Sequence, residues 1–544
     1  MQPSDLTCSL PEDLAARVRD RMAAFRQQEV VRRIWDRDPS VWSRADEDRW
    51  LGWLTLPMER DGVERAVQFA SEIKAEGITS IVLLGMGGSS LAPEVVRSIV
   101  GREEGYPDLH VLDSTDPAQI RSVERAIDFA RSLFLVATKS GTTLEVNILK
   151  QHFFHRAVQE LGQAQAGRHF VLTTDPGSKM EQSARQENFR AIFPGISSVG
   201  GRYSALSNFG LLPAALIGVD PGMLLDRAQE MARRCASNGP DNVAFELGVV
   251  LGEAAIAGYD KPTLIAPPGI AGFGAWLEQL VAESLGKQGK GIIPIDGETP
   301  GLPEVYGRDR IFVHVRAAGA PDAAADALAD KLERAGHPVV RIDWQDRYAL
   351  GAEFYRWEFA TAVAGAVIGV NPFDQPDVEA AKVVTRRLAA AFEQSGTLPD
   401  AESRARDEDI GALIDALREG DYFALLGFIE MNQEHRNALD AIRGIVRDRR
   451  NVATTVGFGP RYLHSTGQAH KGGPNSGVFL MITCDDPEDL PVPGQRYTFG
   501  TIKRLQAQGD LEVLASRGRR TLHVHLKDIE SGLRDLHAAV QKYA

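Results

Sequence analysis

Residues 78–100 read ITSIVLLGMGGSSLAPEVVRSIV, and this stretch decides the fold prediction. A continuous apolar run is followed by a glycine-rich turn and then by apolar residues at helical spacing. Uninterrupted apolar runs of strand length are typical of strands buried on both faces, as in parallel sheets covered by helices. The stretch therefore predicts one strand–loop–helix unit of an α/β domain.

The same plan recurs along most of the chain. Three further units follow at LHVLDSTDPAQI (109–120), SLFLVATKSGTTLEVNILKQHF (132–153) and HFVLTTDPGSKM (169–180). A second series of strand candidates comprises KPTLIAPPG (261–269), KGIIPIDG (290–297), RIFVHVR (310–316) and PVVRIDW (338–344). Strands that alternate with helices in this way predict two α/β domains, each with a doubly wound parallel sheet.

A third set of short strands lies near the C-terminus, at YFALLGFIEM (422–431), GVFLMITC (477–484) and RRTLHVHLK (519–527). Because single domains usually contain about 100–200 residues, a chain of 544 residues is expected to contain several. We predict a helical N-terminal segment at 1–64, α/β domains at 65–222 and 223–394, and a smaller C-terminal α/β region at 395–544. The charged stretch 395–411 is interpreted as a linker.

The composition limits the partners that the protein can have. Sixty-one Lys and Arg residues against 74 Asp and Glu residues give a formal net charge of −13, which disfavours nucleic acid and an anionic membrane as partners. Cys8, Cys235 and Cys484 show no CxxC spacing, so neither a disulfide framework nor a structural zinc site is expected. The longest apolar run, Phe359–Val370, is shorter than the ~20 residues that span a bilayer, and the N-terminus lacks a secretory pattern. We predict a cytoplasmic location.

Two loops at strand ends are candidates for anion binding. Gly85–Ser90 joins a buried strand to a helix, where backbone N–H groups and the helix dipole attract an anion. With Asp113 after the next strand, this loop also approaches a dinucleotide fingerprint, and a simple tight turn is a further alternative. The second loop, Thr138–Thr143, carries four hydroxyl groups and Lys139. A dinucleotide site has no evident use for it, so the two loops together favour a small phosphorylated ligand.

Three further motifs identify a family. Val199-Gly200-Gly201-Arg202-Tyr203-Ser204 and the set Phe373-Asp374-Gln375, Val378-Glu379 and Lys382 flank Glu283-Ser284-Leu285-Gly286-Lys287. In this order they resemble the two signatures and the catalytic-glutamate segment of phosphoglucose isomerases, especially the isomerase portion of bifunctional transaldolase/phosphoglucose isomerases. The resemblance runs from about residue 35 to the C-terminus, with no transaldolase domain. It implies paired sugar-isomerase domains and the interconversion of glucose 6-phosphate and fructose 6-phosphate, without cofactor or metal.

The resemblance also implies roles for individual residues. Glu283 corresponds to the base that relays a proton between C1 and C2 through a cis-enediolate, and Arg202 to the cation that stabilises the enediolate. Gln279 lies four residues before Glu283, which is one turn earlier if this stretch is helical. The predicted substrate-binding residues are Gly88, Ser89, Thr138, Lys139, Ser140, Thr143, Gly201, Gln279 and Gln375.

The acid/base for ring opening departs from the family pattern. The family carries this histidine between the glutamate segment and the second signature, in one branch within a Leu-His-Ser-x-Gly-Gln string. Here that interval contains only His314 and His337, outside such a string, whereas Leu463–Gln468 matches it far downstream. We predict that His464 is the relocated ring-opening residue and that Lys382 assists at the ring oxygen. A second departure is Asp377, where the family signature has glycine.

Several alternatives remain open at this stage. A non-catalytic sugar-phosphate sensor, an isomerase that also accepts mannose 6-phosphate, and a dehydrogenase based on Gly85–Ser90 and Asp113 are possible readings. Familiar isomerases take the ring-opening histidine from a neighbouring subunit, so His464 would let a monomer be active, and either a monomer or a homodimer is expected. His523 and His525 lie on one face of a predicted strand, but no carboxylate or Cys completes a metal motif, so no metal is predicted.

Overall fold

The N-terminal segment begins with a strand and continues as helices in the computed structural model, which describes residues 5–396 and 405–544. Its elements are β1 (Leu6–Ser9), α1 (Glu12–Gln27) and α2 (Val30–Trp35), followed by 3-10 turns at Pro39–Val41, Glu47–Trp50 and Gly52–Met58. The predicted helical segment therefore omitted a strand. β1 pairs antiparallel with residues 339–342, and so short a strand is determined by its distant partner more than by its own pattern.

The first α/β region contains a five-stranded sheet in which all strands are parallel. Its strands are β2 (Ser80–Gly85), β3 (Asp108–Leu112), β4 (Ser132–Ala137), β5 (Phe170–Thr174) and β6 (Ala191–Pro194), in the order β3-β2-β4-β5-β6. Its helices are α3 (Asp61–Ala75), α4 (Gly88–Ile99), α5 (Pro117–Ala126), α6 (Leu144–Leu161), α7 (Gln163–Ala166), α8 (Lys179–Gln186) and α9 (Asn208–Leu216). The order reverses direction at β2 and β4, so the loops that follow these strands open onto one crevice.

The second α/β region has three parallel strands, to which β1 adds an antiparallel edge. The strands are β7 (Lys261–Ile265), β8 (Arg310–Ala317) and β9 (Val339–Trp344). The helices are α10 (Pro221–Cys235), α11 (Val243–Ile256), α12 (Phe273–Leu285), α13 (Ala323–Arg334), α14 (Ala349–Ile368) and α15 (Pro376–Ser395). The strand predicted at 290–297 is reduced to a single bridge between Ile295 and Thr263, because Pro294 cannot donate to a ladder.

The C-terminal region forms a third sheet of four parallel strands in the order β11-β10-β12-β13. Its strands are β10 (Tyr422–Phe428), β11 (Ala453–Phe458), β12 (Gly477–Cys484) and β13 (Arg520–Leu526). Its helices are α16 (Asp407–Asp415), α17 (Gln433–Arg450), α18 (Gly467–Gly472), α19 (Phe499–Ser516) and α20 (Ile529–Tyr543). The sequence prediction missed β11, whose threonines look polar but are buried.

The predicted α/β class with parallel sheets is confirmed. The predicted linker at 395–411 overlaps the end of α15 and the start of α16, and its residues 397–404 lie outside the described residues. The predicted domain boundaries stay a prediction. Among the residues that the structure describes, no helix combines the length and the apolar character needed to cross a bilayer.

A buried ion network attaches the N-terminal strand to the second region. Asp5 accepts hydrogen bonds from Arg234 at 2.7 and 2.8 Å and from Arg356 at 2.7 Å. Burial alone would raise the pKa of Asp5, but the hydrogen bonds and charges of the two arginines outweigh it and lower this pKa to about 2. The contribution of Asp5 to stability is therefore complete above the usual aspartate pKa and is lost as the pH falls towards 2.

We expect Asp5→Asn to lower the free energy of unfolding by about 2 kcal/mol at pH 7 and by much less near pH 2. Urea denaturation followed by circular dichroism at both pH values measures this difference. Asp20→Asn, an exposed position on α1, is the matched control. An Asp5 effect that does not shrink on acidification would contradict the electrostatic explanation.

Candidate active site

The glycine loop after β2 is held in close contact with three other segments. Gly87 has φ +57°, a left-handed conformation that favours glycine. A Cβ atom there would lie 2.7 Å from Gln279 Nε2 and 2.9 Å from the carbonyl oxygen of His464. A Cβ atom on Gly88 would collide with the carbonyl oxygen of Gly201. The glycine loop, the first signature segment, the segment that carries Gln279 and the downstream histidine string therefore meet at one place.

The hydroxyl loop after β4 opens onto the same crevice. Thr138 is buried and its Oγ1 lies 3.5 Å from Thr143 Oγ1, while the exposed Ser140 and Thr142 hydroxyls are 2.8 Å apart. α6 begins directly after Thr143, so its N-terminal dipole points at these hydroxyls. Together with Ser89 in the first turn of α4, the loop supplies uncharged donors and two positive helix ends for an anion.

Lys139 contributes less charge to this loop than the sequence suggests. Its ammonium forms an ion pair with Asp175 and donates to the carbonyl oxygens of Ile196 and Ser197, both at 3.2 Å. Its charge is already compensated, so the hydroxyl groups are the donors of this loop that can meet an anion. An anion contact of the Lys139 side chain stays a prediction that these bonds do not favour.

Arg202 is buried at the centre of the site, with 2% of its side chain exposed. It lies in a 3-10 turn at Gly201–Tyr203, and its guanidinium donates to Ser284 Oγ at 2.7 Å and to Gln375 Oε1 at 2.9 Å. The second terminal nitrogen donates to the carbonyl oxygens of Pro372 and Asp374 at 2.8 and 3.0 Å. These neutral oxygens hold the guanidinium rigidly in place.

Glu283 lies beside this guanidinium on α12. Its Oε1 is 3.5 Å from Arg202 Nη1, and its Oε2 accepts a hydrogen bond from Gln279 Nε2 at 3.1 Å. Gln279 is one helical turn earlier, as the spacing predicts, and also donates to the carbonyl oxygen of His464 at 2.9 Å. A carboxylate, a fixed cation and an amide therefore share one small volume.

His464 reaches the site from the third region and has a carboxylate partner. Its Nε2 lies 3.0 Å from Glu145 Oε1, in the first turn of α6. Burial would raise the pKa of Glu145, but His464, a hydrogen bond within the helix turn and the charge of Lys382 lower this pKa below its ordinary value. Because Nε2 contacts Glu145, Nδ1 is the ring nitrogen of His464 that this pair does not engage.

Buried ion pairs hold the third region against the first. Arg461, three residues before His464, donates to Asp113 at 3.0 Å and to Glu94 at 2.7 Å. Lys503 on α19 pairs with Asp116 at 2.8 Å and also with Asp486. The loop 113–116 that follows β3 is thus a docking surface for the region that carries His464. Asp113, the predicted ribose-binding residue of the dehydrogenase alternative, is occupied by this contact and by Ser90.

Lys382 and Asp377, which both lie in the segment of the second signature, differ in exposure: Lys382 is half-exposed and Asp377 is buried. Lys382 on α15 is half-exposed, 3.9 Å from Glu379, and lies close enough to act electrostatically on Glu145. Asp377 pairs with Arg517 at 2.6 Å, and Gln468 Nε2 donates to its carboxylate at 2.8 Å. Gln468 also accepts from the Asp377 backbone N–H at 2.9 Å. The Asp377 side chain, which stands where the family has glycine, is therefore paired with its neighbours. These contacts also fix the N-terminus of α15.

Sequence reasoning missed Glu145, Ser284 and Lys287. Lys287 donates to the carbonyl oxygen of Asn371 at 2.7 Å and pairs with Asp374, so it holds the segment that binds Arg202. Burial, followed by the nearby charge of Arg202, lowers the pKa of Lys287 to about 8. Glu145 sits two residues after Thr143, and only its contact with a residue far along the chain distinguishes it from an ordinary helix-start glutamate.

A cavity and a pair of histidines lie outside the candidate active site. A cavity of about 790 Å³ lies away from these residues, and its lining includes Asp296, Glu298, Asp322 and Asp448, which would repel a phosphate. The His523 and His525 side chains both contact Thr483 Oγ1 at 2.8 Å, and burial lowers the pKa of His523 to about 4. Within residues 5–396 and 405–544, no group of three or more His, Cys, Asp or Glu residues is arranged to hold a metal ion.

Comparison with known proteins assigns the family. Residues 68–297 match the phosphoglucose isomerase family. A glucose-6-phosphate isomerase of Staphylococcus aureus (strain Mu3) is 30% identical over an alignment of 406 positions, which covers 65% of this chain and 90% of that protein. This chain belongs to the phosphoglucose isomerase family. A glucose-6-phosphate isomerase of Rubrobacter xylanophilus is 28% identical over an alignment of 382 positions, which covers 61% of this chain and 88% of that protein.

Solved structures support the fold of this phosphoglucose isomerase family member. A glucose-6-phosphate isomerase from Chlamydia trachomatis superimposes with a TM-score of 0.57 and 20% identity, covering 70% of this chain and 87% of that one. A Thermus thermophilus protein superimposes with a TM-score of 0.61 and 24% identity, covering 70% and 99%. The chain is an isomerase with sugar-isomerase-type α/β domains, and the dehydrogenase alternative is not supported.

Proposed function

We propose that this enzyme interconverts glucose 6-phosphate and fructose 6-phosphate by proton transfer between C1 and C2. The observation that carries the proposal is the 3.5 Å approach of Glu283 Oε1 to Arg202 Nη1 beside the two anion-binding loops. A base and a fixed cation next to a phosphate cradle are the groups that an aldose–ketose isomerisation needs. A sensor without catalysis has no comparable need for them.

The phosphate is proposed to bind at the two helix N-termini. Ser89, Thr138, Ser140 and Thr143 supply hydroxyl donors, and the backbone N–H groups near Gly88 add to the positive end of α4. Anchoring the phosphate here leaves the sugar carbons directed towards Arg202 and Glu283. Gly201, which packs against Gly88, has no side chain to fill this space.

Proton transfer is proposed to use Glu283 alone. In the aldose-to-ketose direction the carboxylate removes the C2 proton and the cis-enediolate forms. The proton of the 2-hydroxyl group passes from O2 to O1, and Glu283 delivers the carbon-bound proton to C1, which leaves the carbonyl at C2. Gln279 and Gln375 hold the base and the guanidinium in place. Gln279 Oε1 is buried and has no hydrogen-bond partner among residues 5–396 and 405–544, so it can accept from a sugar hydroxyl. Arg202 stabilises the negative oxygen of the enediolate in a site where both its own side chain and that of Glu283 are buried.

Ring opening is proposed to use His464, with its Nδ1 directed at the ring oxygen and its Nε2 bonded to Glu145. Lys382 assists electrostatically at this end of the site. All these groups belong to one chain, so we propose that a monomer suffices for activity. Sedimentation combined with assays at high dilution tests that point, and loss of activity on dissociation would contradict it.

The function is tested by incubating the purified protein with fructose 6-phosphate and following glucose 6-phosphate with a coupled dehydrogenase. We expect rapid formation of glucose 6-phosphate and, in heavy water, incorporation of deuterium at the proton-transfer carbons. Absence of both, in protein whose circular dichroism shows a folded chain, would overturn the proposed function.

Removal of His464 is expected to separate ring opening from proton transfer. His464→Ala should slow turnover of cyclic fructose 6-phosphate by about 10²-fold or more. A ketose 6-phosphate without its 5-hydroxyl cannot close a furanose ring, so its deuterium exchange should be nearly unchanged. His155→Ala, an exposed histidine on α6, serves as the control. Equal losses on both substrates would contradict a ring-opening role.

A further inference from the structure

We propose that Gln506 is a positioning residue for ring opening, which orients Glu145 and through it His464. This inference rests on the proposed function and extends it to a residue outside all family motifs described above. Gln506 lies on α19 of the third region, is 3% exposed and does not touch the proposed substrate position directly. Its contacts form a chain from the first region to His464.

The chain of hydrogen bonds has a defined direction. Thr115 Oγ1 donates to Gln506 Oε1 at 2.8 Å. Gln506 Nε2 in turn donates to Glu145 Oε1 at 2.7 Å, and the same carboxylate oxygen contacts His464 Nε2 at 3.0 Å. A reversed amide would turn its oxygen towards the carboxylate. Because an ionised carboxylate only accepts, Glu145 selects the orientation in which Gln506 donates, and the Thr115 hydroxyl supports this orientation by donating to Gln506 Oε1.

The donor matters because Glu145 is buried and negatively charged. Removing a hydrogen bond from a buried carboxylate costs more than removing one between neutral groups. The titratable groups that act on Glu145 are His464 from the third region and Lys382 from α15. The lysine acts without a hydrogen bond to Glu145. The rotation of the carboxylate is therefore set by His464, by the hydrogen bond within the helix turn and by Gln506, whose amide donates from α19.

Loss of this donor would free the carboxylate to rotate about its terminal bond. The His464 ring follows its acceptor, so Nδ1 would no longer be held towards the ring oxygen of the substrate. Proton transfer by Glu283 would be unaffected, because Glu283 is held by Gln279 and Arg202 and not by the hydrogen bonds of Thr115 and Gln506. The inference therefore predicts a defect confined to substrates that must open a ring.

Gln506→Met keeps the approximate shape and removes both hydrogen bonds. We expect it to slow turnover of fructose 6-phosphate by about 10- to 100-fold, while deuterium exchange into the 5-deoxy ketose 6-phosphate changes less than about twofold. Thr115→Val, a milder change that removes only the hydroxyl donating to Gln506, should give a smaller loss with the same substrate dependence. Thr455→Val removes a buried hydroxyl that has no hydrogen-bond partner in the described part of the chain, and it is the matched control.

A variant that adds a carboxyl group gives a further measurement, the pH dependence of turnover, which would not change if Gln506 had only a structural role. Gln506→Glu places a second carboxyl group beside Glu145, and two such groups share a proton up to a higher pH. The acidic limb of turnover on fructose 6-phosphate should move upwards by about one pH unit or more, whereas the limb for the acyclic substrate should stay in place.

The outcomes separate this inference from the proposed function. A wild-type enzyme without isomerase activity overturns the proposed function itself. An active wild type with Gln506 and Thr115 variants that affect both substrates equally, or neither, overturns only the positioning role. Should Gln506→Met fail to fold, Thr115→Val and the pH profile of Gln506→Glu decide the question.

Discussion

Glu283→Gln is expected to reduce the conversion of fructose 6-phosphate by about 10²–10⁴-fold, with little change in the affinity for the substrate phosphate. Glutamine keeps the shape of the side chain and can still accept a hydrogen bond from Gln279. It cannot remove a carbon-bound proton, and so no enediolate forms. The loss should therefore be in kcat and should apply equally to cyclic and acyclic substrates.

The matched control is Glu278→Gln, five residues earlier on the same helix. Burial, followed by the nearby charge of Asp296, raises the pKa of Glu278 to about 8, so this group is mostly neutral at pH 7. Replacing it with a neutral amide should change activity by less than about threefold. A Glu283→Gln enzyme that still exchanges deuterium into substrate at the wild-type rate would show that another group is the base.

Lys503→Met is expected to destabilise the protein by about 3–5 kcal/mol and to remove most of the activity. The Lys503 side chain is 1% exposed, and its ammonium lies between Asp116 of the first region and Asp486 of the third. Burial alone would lower the pKa of Lys503, but these carboxylates raise it above its ordinary value. Without the lysine, two buried carboxylates face each other, and the region that carries His464 keeps the ion pairs of Arg461 but loses this attachment.

Thermal unfolding and limited proteolysis measure this effect. The destabilisation should shrink as the pH falls, because a proton can then neutralise the carboxylate pair, and Asp116→Asn in the same chain should recover part of it. Lys527→Met, at an exposed position after β13, is the control. Full activity and unchanged stability in Lys503→Met would show that this ion pair does not hold the third region in place.

Local patterns predicted β2, β3, β4 and β5 of the first sheet but not β6, which has only four residues and ends at a proline. The four predicted strands are apolar runs next to glycine or Thr-Asp-Pro turns, so each carries its own signal. β1 and β11 do not, since one is only four residues long and the other contains threonines whose burial depends on neighbouring strands. The predicted strand at 290–297 shows the reverse case, in which apolar residues are buried as a loop because a proline interrupts the ladder.

For the site, the sequence by itself determined the chemical groups: the hydroxyl and glycine loops, Arg202, Glu283 and the Leu-His-Ser-Thr-Gly-Gln string. A motif encodes residue types at short spacing, and such spacing survives without knowledge of the fold. Only the tertiary structure decided that His464 contacts Glu145, that Gln506 and Thr115 extend this series of hydrogen bonds, and that Lys139 is paired with Asp175. Those contacts join residues up to several hundred positions apart, and their geometry arises from the packing of three sheets, which no local pattern contains.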